Sequence, residues 1–249
     1  MWTKLAIGAM ALSAVGGGWR GEFGAAPAPG GDPARGRALY QQDCAICHRP
    51  DGSGSSRGPD IRSSGLASVD FQVSTGRMPR QADDPSQPKR DAYSQAETAD
   101  LLSYVQQFVS GPAVPDPDTN ASVPEGERLY QLNCAACHQA AGAGGVLAHN
   151  TQVPALTHSS ARQVVEAMRT GPGEMPLFTS GFTDNEASEI AAYVQYLHHP
   201  DDRGGYSLGH LGPVPEGLVA IGLGLGALAL VARWLGTREP AGRSGSGID

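Results

Sequence analysis

Residues Cys44 to His48 read Cys-Ala-Ile-Cys-His, and residues Cys134 to His138 read Cys-Ala-Ala-Cys-His. These two copies of one motif use all 4 cysteines of the chain. Cys-x-x-Cys-His is the attachment signature of c-type haem, in which both thiols form thioethers and the adjacent imidazole reaches the iron. The pair therefore predicts two covalently bound haems and no disulfide. The predicted attachment residues are Cys44, Cys47, Cys134 and Cys137.

A zinc site is the alternative chemistry for these residues. Two motifs brought together could supply four thiolates, or two thiolates and two imidazoles, to a tetrahedral zinc ion. Each motif is also followed by a Gly-x-Met-Pro stretch, at Gly76 to Pro79 and at Gly173 to Pro176. A methionine thioether is a poor zinc ligand but a good sixth ligand for haem iron. The combined pattern favours haem.

The two motifs belong to a tandem repeat. Arg35 to His48 aligns with Glu125 to His138 at an offset of 90 residues, and Tyr104 to Gln106 aligns with Tyr193 to Gln195 at an offset of 89. A near-constant offset indicates two copies of one structural unit. The proline-rich stretch from Gly111 to Val123 separates the two copies.

A helix is predicted at each end of each unit. The closing helices span about residues 94–109 and 183–198, where apolar residues recur at helical spacing. Thr183 and Glu186 form a capping box that marks the start of the second of these helices. The apolar residues of the two stripes are expected in the core, and they are Leu101, Leu102, Val105, Phe108, Ile190, Tyr193, Val194 and Leu197.

The formal net charge of -7 is concentrated in the second unit. Residues 32–111 carry nine basic and ten acidic side chains, whereas residues 112–200 carry three basic and nine acidic ones. An acidic surface argues against nucleic acid as a partner. Two interpretations stay open for the second unit: it docks on a basic partner, or its acidic face is simply solvated.

An apolar segment lies at each end of the chain. Lys4, followed by an uncharged run up to Trp19, fits a secretory signal peptide, with an uncleaved anchor as the alternative. Residues 217–236 form a second apolar stretch in which Arg233 is the one charged residue. Twenty residues are enough to cross a bilayer if Arg233 extends to the interface. We therefore predict a transmembrane helix there.

The basic residues at the end of this helix predict its orientation. Arg233, Arg238 and Arg243 lie at its C-terminal side. Loops rich in arginine and lysine face the cytoplasm, so the two repeats should lie outside it. This location also suits haem attachment, which takes place outside the bacterial cytoplasm.

Each repeat resembles a class I cytochrome c domain in its order of helix, Cys-x-x-Cys-His, loop, methionine and helix, and the resemblance covers residues 32–200. It implies an all-α fold with two tandem class I cytochrome c domains plus a C-terminal transmembrane helix. It also implies a carbonyl at Pro59 and at Pro154 that accepts the N–H of the ligating histidine. The iron ligands that it implies are His48 and Met78 in the first domain and His138 and Met175 in the second.

The boundaries expected on this basis divide the chain into seven parts. They are a signal peptide or N-terminal anchor with linker (1–31), cytochrome c domain 1 (32–111), a linker (112–123), cytochrome c domain 2 (124–200), a juxtamembrane segment (201–216), the transmembrane helix (217–236) and a cytoplasmic tail (237–249).

Three other residues compete as axial ligands of the second haem. Met168 lies on a predicted helix and is expected in the core, but it is an alternative to Met175. His149 or His158 could instead give a bis-histidine haem, although loop or surface positions are expected for both.

A narrower family resemblance comes from the C-terminal part of the chain. Two class I domains, one helix after them, and the stretch Gly-Pro-Val-Pro-Glu-Gly-Leu-Val-Ala at 212–220 resemble the dihaem cytochrome c subunit of the actinobacterial-type menaquinol:cytochrome c reductase, the cytochrome bcc complex. The resemblance implies a membrane-anchored electron-transfer subunit with no turnover of its own. It also implies a cytochrome b subunit, a Rieske iron-sulfur protein and an aa3-type oxidase as partners.

Two other functions share these features. A dihaem peroxidase needs one vacant iron position, which two methionine ligands would close. A cytochrome subunit of another respiratory oxidase or dehydrogenase is the second alternative. The dihaem subunit of cbb3-type oxidases resembles this chain in its domains, but it carries its anchor before the haems.

Overall fold

A computed structural model describes residues 30–80, 93–201 and 213–237 of the chain. The predicted signal peptide falls on residues 1–29, outside this part. Most of the predicted juxtamembrane segment and cytoplasmic tail, at 202–212 and 238–249, also lies outside it.

The described residues are mostly helical, which confirms the all-α prediction. The helices of the first repeat are α1 (Pro33–Asp43), α2 (Ala45–His48), α3 (Leu66–Ser74) and α4 (Gln95–Val105). Those of the second repeat are α5 (Val123–Asn133), α6 (Ala135–His138), α7 (Ala161–Thr170) and α8 (Asp184–His198). Helix α9 (Pro213–Gly236) follows them. The second repeat also contains an antiparallel ribbon, β1 (Gly145–Val146) and β2 (Gln152–Val153), around a 3₁₀ turn at Ala148–Asn150, which the sequence analysis did not predict.

The starts of the helices follow from local capping. The Thr183 hydroxyl accepts the backbone N–H of Glu186, whose carboxylate accepts the N–H of Thr183, so the predicted capping box is confirmed. The same box starts α4 at Ser94 and α7 at Ser160. Helix α4 is shorter than predicted because its last turn tightens after Val105, with the Phe108 N–H donating to the Val105 carbonyl.

In each repeat the first helix crosses the last one at a glycine. A Cβ atom added at Gly36 would stand 1.9 Å from the carbonyl oxygen of Asp100, and one added at Gly126 would stand 1.9 Å from that of Glu189. No side chain fits at either position, so the backbones of α1 and α4, and of α5 and α8, touch directly. The crossing explains why the glycine recurs at the same place in both repeats.

An ion pair adds to the crossing in the first repeat. Asp100, almost fully buried, accepts hydrogen bonds from Arg35 Nε at 2.7 Å and from the backbone N–H of Asp32 at 2.6 Å. These bonds, led by that of Arg35, hold the pKa of Asp100 below its ordinary value. In the second repeat Glu189 instead accepts a hydrogen bond from Asn185 of its own helix.

Each repeat has its own buried apolar cluster. Six of the eight residues of the two predicted stripes are buried, and Phe108 and Leu197 pack at the edges of the clusters, which confirms the stripes as core. Besides stripe residues, the first cluster contains Tyr40, Val73, Val109 and Val114, and the second contains Leu129, Tyr130, Val164, Val165, Met168, Ala187 and Ala191.

The proline-rich stretch between the repeats packs against both of them. Val114 is buried in the first cluster, and the Pro112 carbonyl accepts the backbone N–H of Ala67 at 3.1 Å. Farther along, the backbone N–H of Asp118 donates to the Ser188 hydroxyl at 3.2 Å. The stretch therefore ties the two repeats together along its length.

Helix α9 contains the predicted membrane segment. Gly217–Gly236 is a 20-residue apolar stretch with a mean hydropathy of 2.0, and none of its most apolar window is buried. An apolar helix whose most apolar window is not buried in the described chain fits a membrane anchor by length and composition.

Replacing Gly126 by Ala should push α5 away from α8, because backbone atoms of Glu189 cannot yield to a methyl group. We expect a loss of at least about 1–3 kcal/mol in the free energy of unfolding of the second repeat. The measurement is the thermal unfolding midpoint of the full-length haem protein.

Gly30→Ala is the matched control, because nothing lies within 4 Å of a Cβ at that position. Equal midpoints for Gly126→Ala and the wild type would show that α5 and α8 do not touch at Gly126.

Candidate haem sites

The two Cys-x-x-Cys-His motifs adopt the same local structure. Cys44 ends α1 through the hydrogen bond of its N–H to the Tyr40 carbonyl at 2.9 Å, and the short helix α2 starts there. The backbone N–H groups of Cys47 and His48 both return to the Cys44 carbonyl, at 3.1 and 2.9 Å. Helix α6 repeats these distances in the second repeat. Two thiols and an imidazole are thus presented on a single turn.

A buried tyrosine holds the residue that follows each histidine. Arg49 and Gln139 have φ angles of 61° and 64°, which side-chain-bearing residues rarely adopt. The hydroxyls of Tyr40 and Tyr130 donate to the carbonyls of Arg49 and Gln139, both at 2.8 Å. These contacts stabilise the turn that carries the imidazole. These contacts were not predicted from the sequence.

The structure places a proline carbonyl beside each histidine, as the family resemblance implied. His48 Nδ1 lies 2.9 Å from the Pro59 carbonyl oxygen, and His138 Nδ1 lies 3.1 Å from that of Pro154. A carbonyl only accepts hydrogen bonds, so each Nδ1 carries the hydrogen and each Nε2 keeps a free lone pair. Burial lowers the pKa of His138, which also favours the neutral imidazole. Both histidines are therefore suited to bind iron through Nε2.

The two methionines of the Gly-x-Met-Pro stretches follow equivalent helices. Met78 comes four residues after α3 and Met175 five residues after α7. Met78 is half-buried against the same cluster as Cys44, and Met175 against the same cluster as Cys134. Each repeat thus brings a thioether and an attachment thiol to one apolar cluster. We propose Met78 and Met175 as the distal ligands.

A buried arginine, Arg169, holds the loop that carries Met175, and sequence reasoning missed it. It lies in the last turn of α7 and is 7% exposed. One of its nitrogens lies 3.0 to 3.4 Å from three carbonyl oxygens of the loop, and another lies 2.8 Å from Asp184 Oδ1. The three carbonyls belong to Phe178, Thr179 and Phe182. The only signal for this role in the sequence was a basic residue shortly before a glycine-rich loop.

The zinc alternative finds no supporting site. All four cysteines are free of disulfides, and no group of three or more His, Cys, Asp or Glu side chains converges on a metal position within residues 30–80, 93–201 and 213–237. Burial, aided by acidic neighbours, raises the pKa of Cys44 to about 12, and burial raises that of Cys134 to about 11. Neutral thiols beside an apolar cluster suit thioether formation better than a thiolate zinc site.

The competing ligands of the second haem lie where the sequence predicts them, in the core or at exposed positions. Met168 is 2% exposed and belongs to the buried cluster around α7, as expected for a core residue. His149 and His158 are both exposed loop residues.

Two family models match the chain, one for each repeat. Residues 33–108 match the model described as cytochrome c, and residues 121–194 match the model described as cytochrome C oxidase, cbb3-type, subunit III. Both are cytochrome c domains, so the two-domain prediction is confirmed.

Relatives of known name match over most of the chain. The cytochrome bc1 complex cytochrome c subunit of Corynebacterium efficiens is 34% identical over 227 residues, which cover 83% of this chain and 77% of that protein. This chain belongs to the same family. The subunits of that name from Mycobacterium tuberculosis and Corynebacterium diphtheriae are 35% and 33% identical, each over 82% of this chain and over 77% and 80% of their own lengths.

Membership in the family and two cytochrome c domains give the cofactors. The chain carries two covalently bound haem c groups, and the motifs at Cys44 and Cys47 and at Cys134 and Cys137 fit them. Its relatives are subunits of a bc1-type oxidoreductase complex. The chain is accordingly an electron-transport protein with an apolar C-terminal helix.

Met175→Leu should abolish the weak far-red absorption that sulfur coordination gives an oxidised haem in the second domain, because leucine has no sulfur to coordinate the iron. The measurement is the far-red spectrum of the oxidised full-length protein, in which the first haem keeps its own band from Met78 and only the contribution of the second haem should disappear. Met168→Leu is the control and should leave the band intact. Loss of the band in Met168→Leu, with the band kept in Met175→Leu, would reverse the assignment.

Arg169→Lys should loosen the loop that carries Met175, since one ammonium cannot reach all the partners of a guanidinium fork. We expect a weakened far-red band and a loss of about 1–3 kcal/mol in the free energy of unfolding. Arg128→Lys, at an exposed ion pair with Glu125, is the control that should change neither. An unchanged band in Arg169→Lys would show that the loop does not depend on the guanidinium.

Proposed function

We propose that this subunit relays electrons from a Rieske iron-sulfur protein, through its first and then its second cytochrome c domain, to a terminal oxidase of the aa3 type. Its partners in the membrane would be that Rieske protein and a cytochrome b subunit of a quinol-oxidising complex. The observation that carries the proposal is the family membership over 83% of the chain, combined with two cytochrome c domains.

The residues around each site favour electron transfer over chemistry at the iron. Haem c, when bound, supplies a one-electron couple. In each domain a histidine and a methionine would occupy both axial positions, so neither iron would offer a site to oxygen or peroxide. The Pro59 and Pro154 carbonyls fix the imidazole rings, which limits reorganisation when the charge at the site changes.

The contact between the two domains supports a path through the chain. Helix α3 of the first domain packs on α7 of the second, and Gln163 Nε2 donates to the Ser74 hydroxyl at 3.2 Å. These helices lead into the Met78 and Met175 loops, so the two sites are linked by a packed contact.

We further propose that α9 anchors both domains on the extracytoplasmic side of the cell membrane. Arg233, Arg238 and Arg243 at the end of the helix support a cytoplasmic C-terminus. The strongly acidic second domain would then face the oxidase, where a basic docking surface would speed association.

A cytochrome subunit of another oxidase is the second candidate, because the model that matches residues 121–194 is described as a cbb3-type oxidase subunit. That single-domain match covers less of the chain than the bc1 relatives do. The position of α9 after the haem domains also favours the bc1-type host.

Affinity purification of the tagged full-length subunit in mild detergent should bring down a cytochrome b and a Rieske protein. The readouts are b-type haem absorption and the electron paramagnetic resonance of a reduced Rieske cluster. Recovery of oxidase subunits without either protein would overturn the bc1-type assignment and support the second candidate.

A further inference from the structure

Two carboxyl groups meet in the contact between the cytochrome c domains. Glu166 on α7 is fully buried, at 0% exposure, and Asp70 on α3 is 5% exposed. Each lies in the middle of its helix, and the two helices pack against each other next to the hydrogen bond between Gln163 and Ser74. Neither carboxyl is used by the haem sites described above.

Glu166 lacks a hydrogen-bond donor if both carboxyl groups are ionised. Neither Oε1 nor Oε2 of Glu166 has a hydrogen-bond partner among the described residues. A buried carboxylate without a donor is costly, and a second carboxylate beside it adds repulsion. One proton removes both problems, because a protonated Glu166 can donate to the Asp70 carboxylate, which lies within hydrogen-bonding reach of it.

The surrounding charges assign the remaining negative charge to Asp70. Arg162, one turn before Glu166 on α7, has its Nη1 3.9 Å from Asp70 Oδ2, and Asp70 is the one charged residue of α3. Arg169, farther along α7, is bound to the Met175 loop and to α8. The ionisable groups of α8 have partners of their own, with Asp184 bound to Arg169, Glu186 to Thr183, Glu189 to Asn185 and His198 to the Leu156 carbonyl.

We propose that the contact between the two haem domains is a proton-binding site, in which Glu166 carries a proton and donates it in a hydrogen bond to Asp70. The bound proton joins α3 to α7 and so holds the two haem sites in one arrangement. Glu166 and Asp70 are positioning residues, since they act on the domain contact and touch neither haem attachment motif.

The direction of the pKa shift agrees with this geometry. Burial first, and then the charge of Asp70, raise the pKa of Glu166 to about 10, from an ordinary value of 4.5. The folded state therefore binds one more proton than the unfolded state between these two values. Stability from this site is fully present below pH 4.5 and is lost progressively as the pH rises towards 10.

Infrared spectroscopy of the full-length haem protein in detergent tests for the proton directly. At pH 7 the wild type should show the carbonyl stretch of a protonated carboxyl that is missing from Glu166→Gln. Glu127→Gln, which removes an exposed carboxylate of α5, is the matched control and should keep the band. The difference between these variants separates Glu166 from the haem propionates and from other carboxyl groups. Identical spectra for Glu166→Gln and the wild type at pH 7 would overturn the proposal.

The pH dependence of unfolding provides a second measurement. For one proton released on unfolding, the unfolding equilibrium constant should rise about tenfold per pH unit across the neutral range. Glu166→Gln should remove this contribution to the slope, whereas Glu127→Gln should keep it. Asp70→Asn should lower the pH at which the carboxyl band disappears, because the neighbouring negative charge is gone. Equal slopes for the wild type and Glu166→Gln would show that no proton is held at the domain contact.

Discussion

The direct backbone contact between the first and last helix of each repeat sets the geometry of both haem domains. At Gly36 and Gly126 these helices approach too closely for any side chain. The first helix of each repeat ends at the first attachment cysteine, and the last helix covers the apolar cluster. Their crossing therefore holds that cysteine against the cluster. A haem then completes a core that about 80 residues could not bury from their own side chains.

Around that crossing, each haem site is built from contacts between distant parts of one repeat. A tyrosine hydroxyl holds the turn after the ligating histidine, and a proline carbonyl from the following loop orients the imidazole. In the second repeat, hydrogen bonds from Arg169 hold the methionine loop in place. The tyrosine hydrogen bond is 2.8 Å long in both repeats, and the histidine–proline distances are 2.9 and 3.1 Å. The two repeats therefore share the supports of the ligating histidine.

The contact between the two domains bears directly on the proposed electron relay. It pairs equivalent helices of the two repeats, each leading into a methionine loop, and the extended proline-rich stretch packs along both domains. A buried carboxyl pair in such a contact makes the arrangement of the two haem sites sensitive to protons. Two apolar residues would pack in this buried contact without requiring a proton, so a pair of acidic side chains is an unusual choice at this place.

Features that are covalent or local can be predicted from the residues alone. The four attachment cysteines, the capping box at Thr183, the apolar stripes and the apolar C-terminal helix all follow from residues close together in the chain. The role of the Pro59 and Pro154 carbonyls was predicted only from the family resemblance. The buried role of Arg169, the two tyrosine contacts and the meeting of Asp70 with Glu166 depend on the folded arrangement of the helices. Their partners are brought together by folding, over separations that no local pattern encodes.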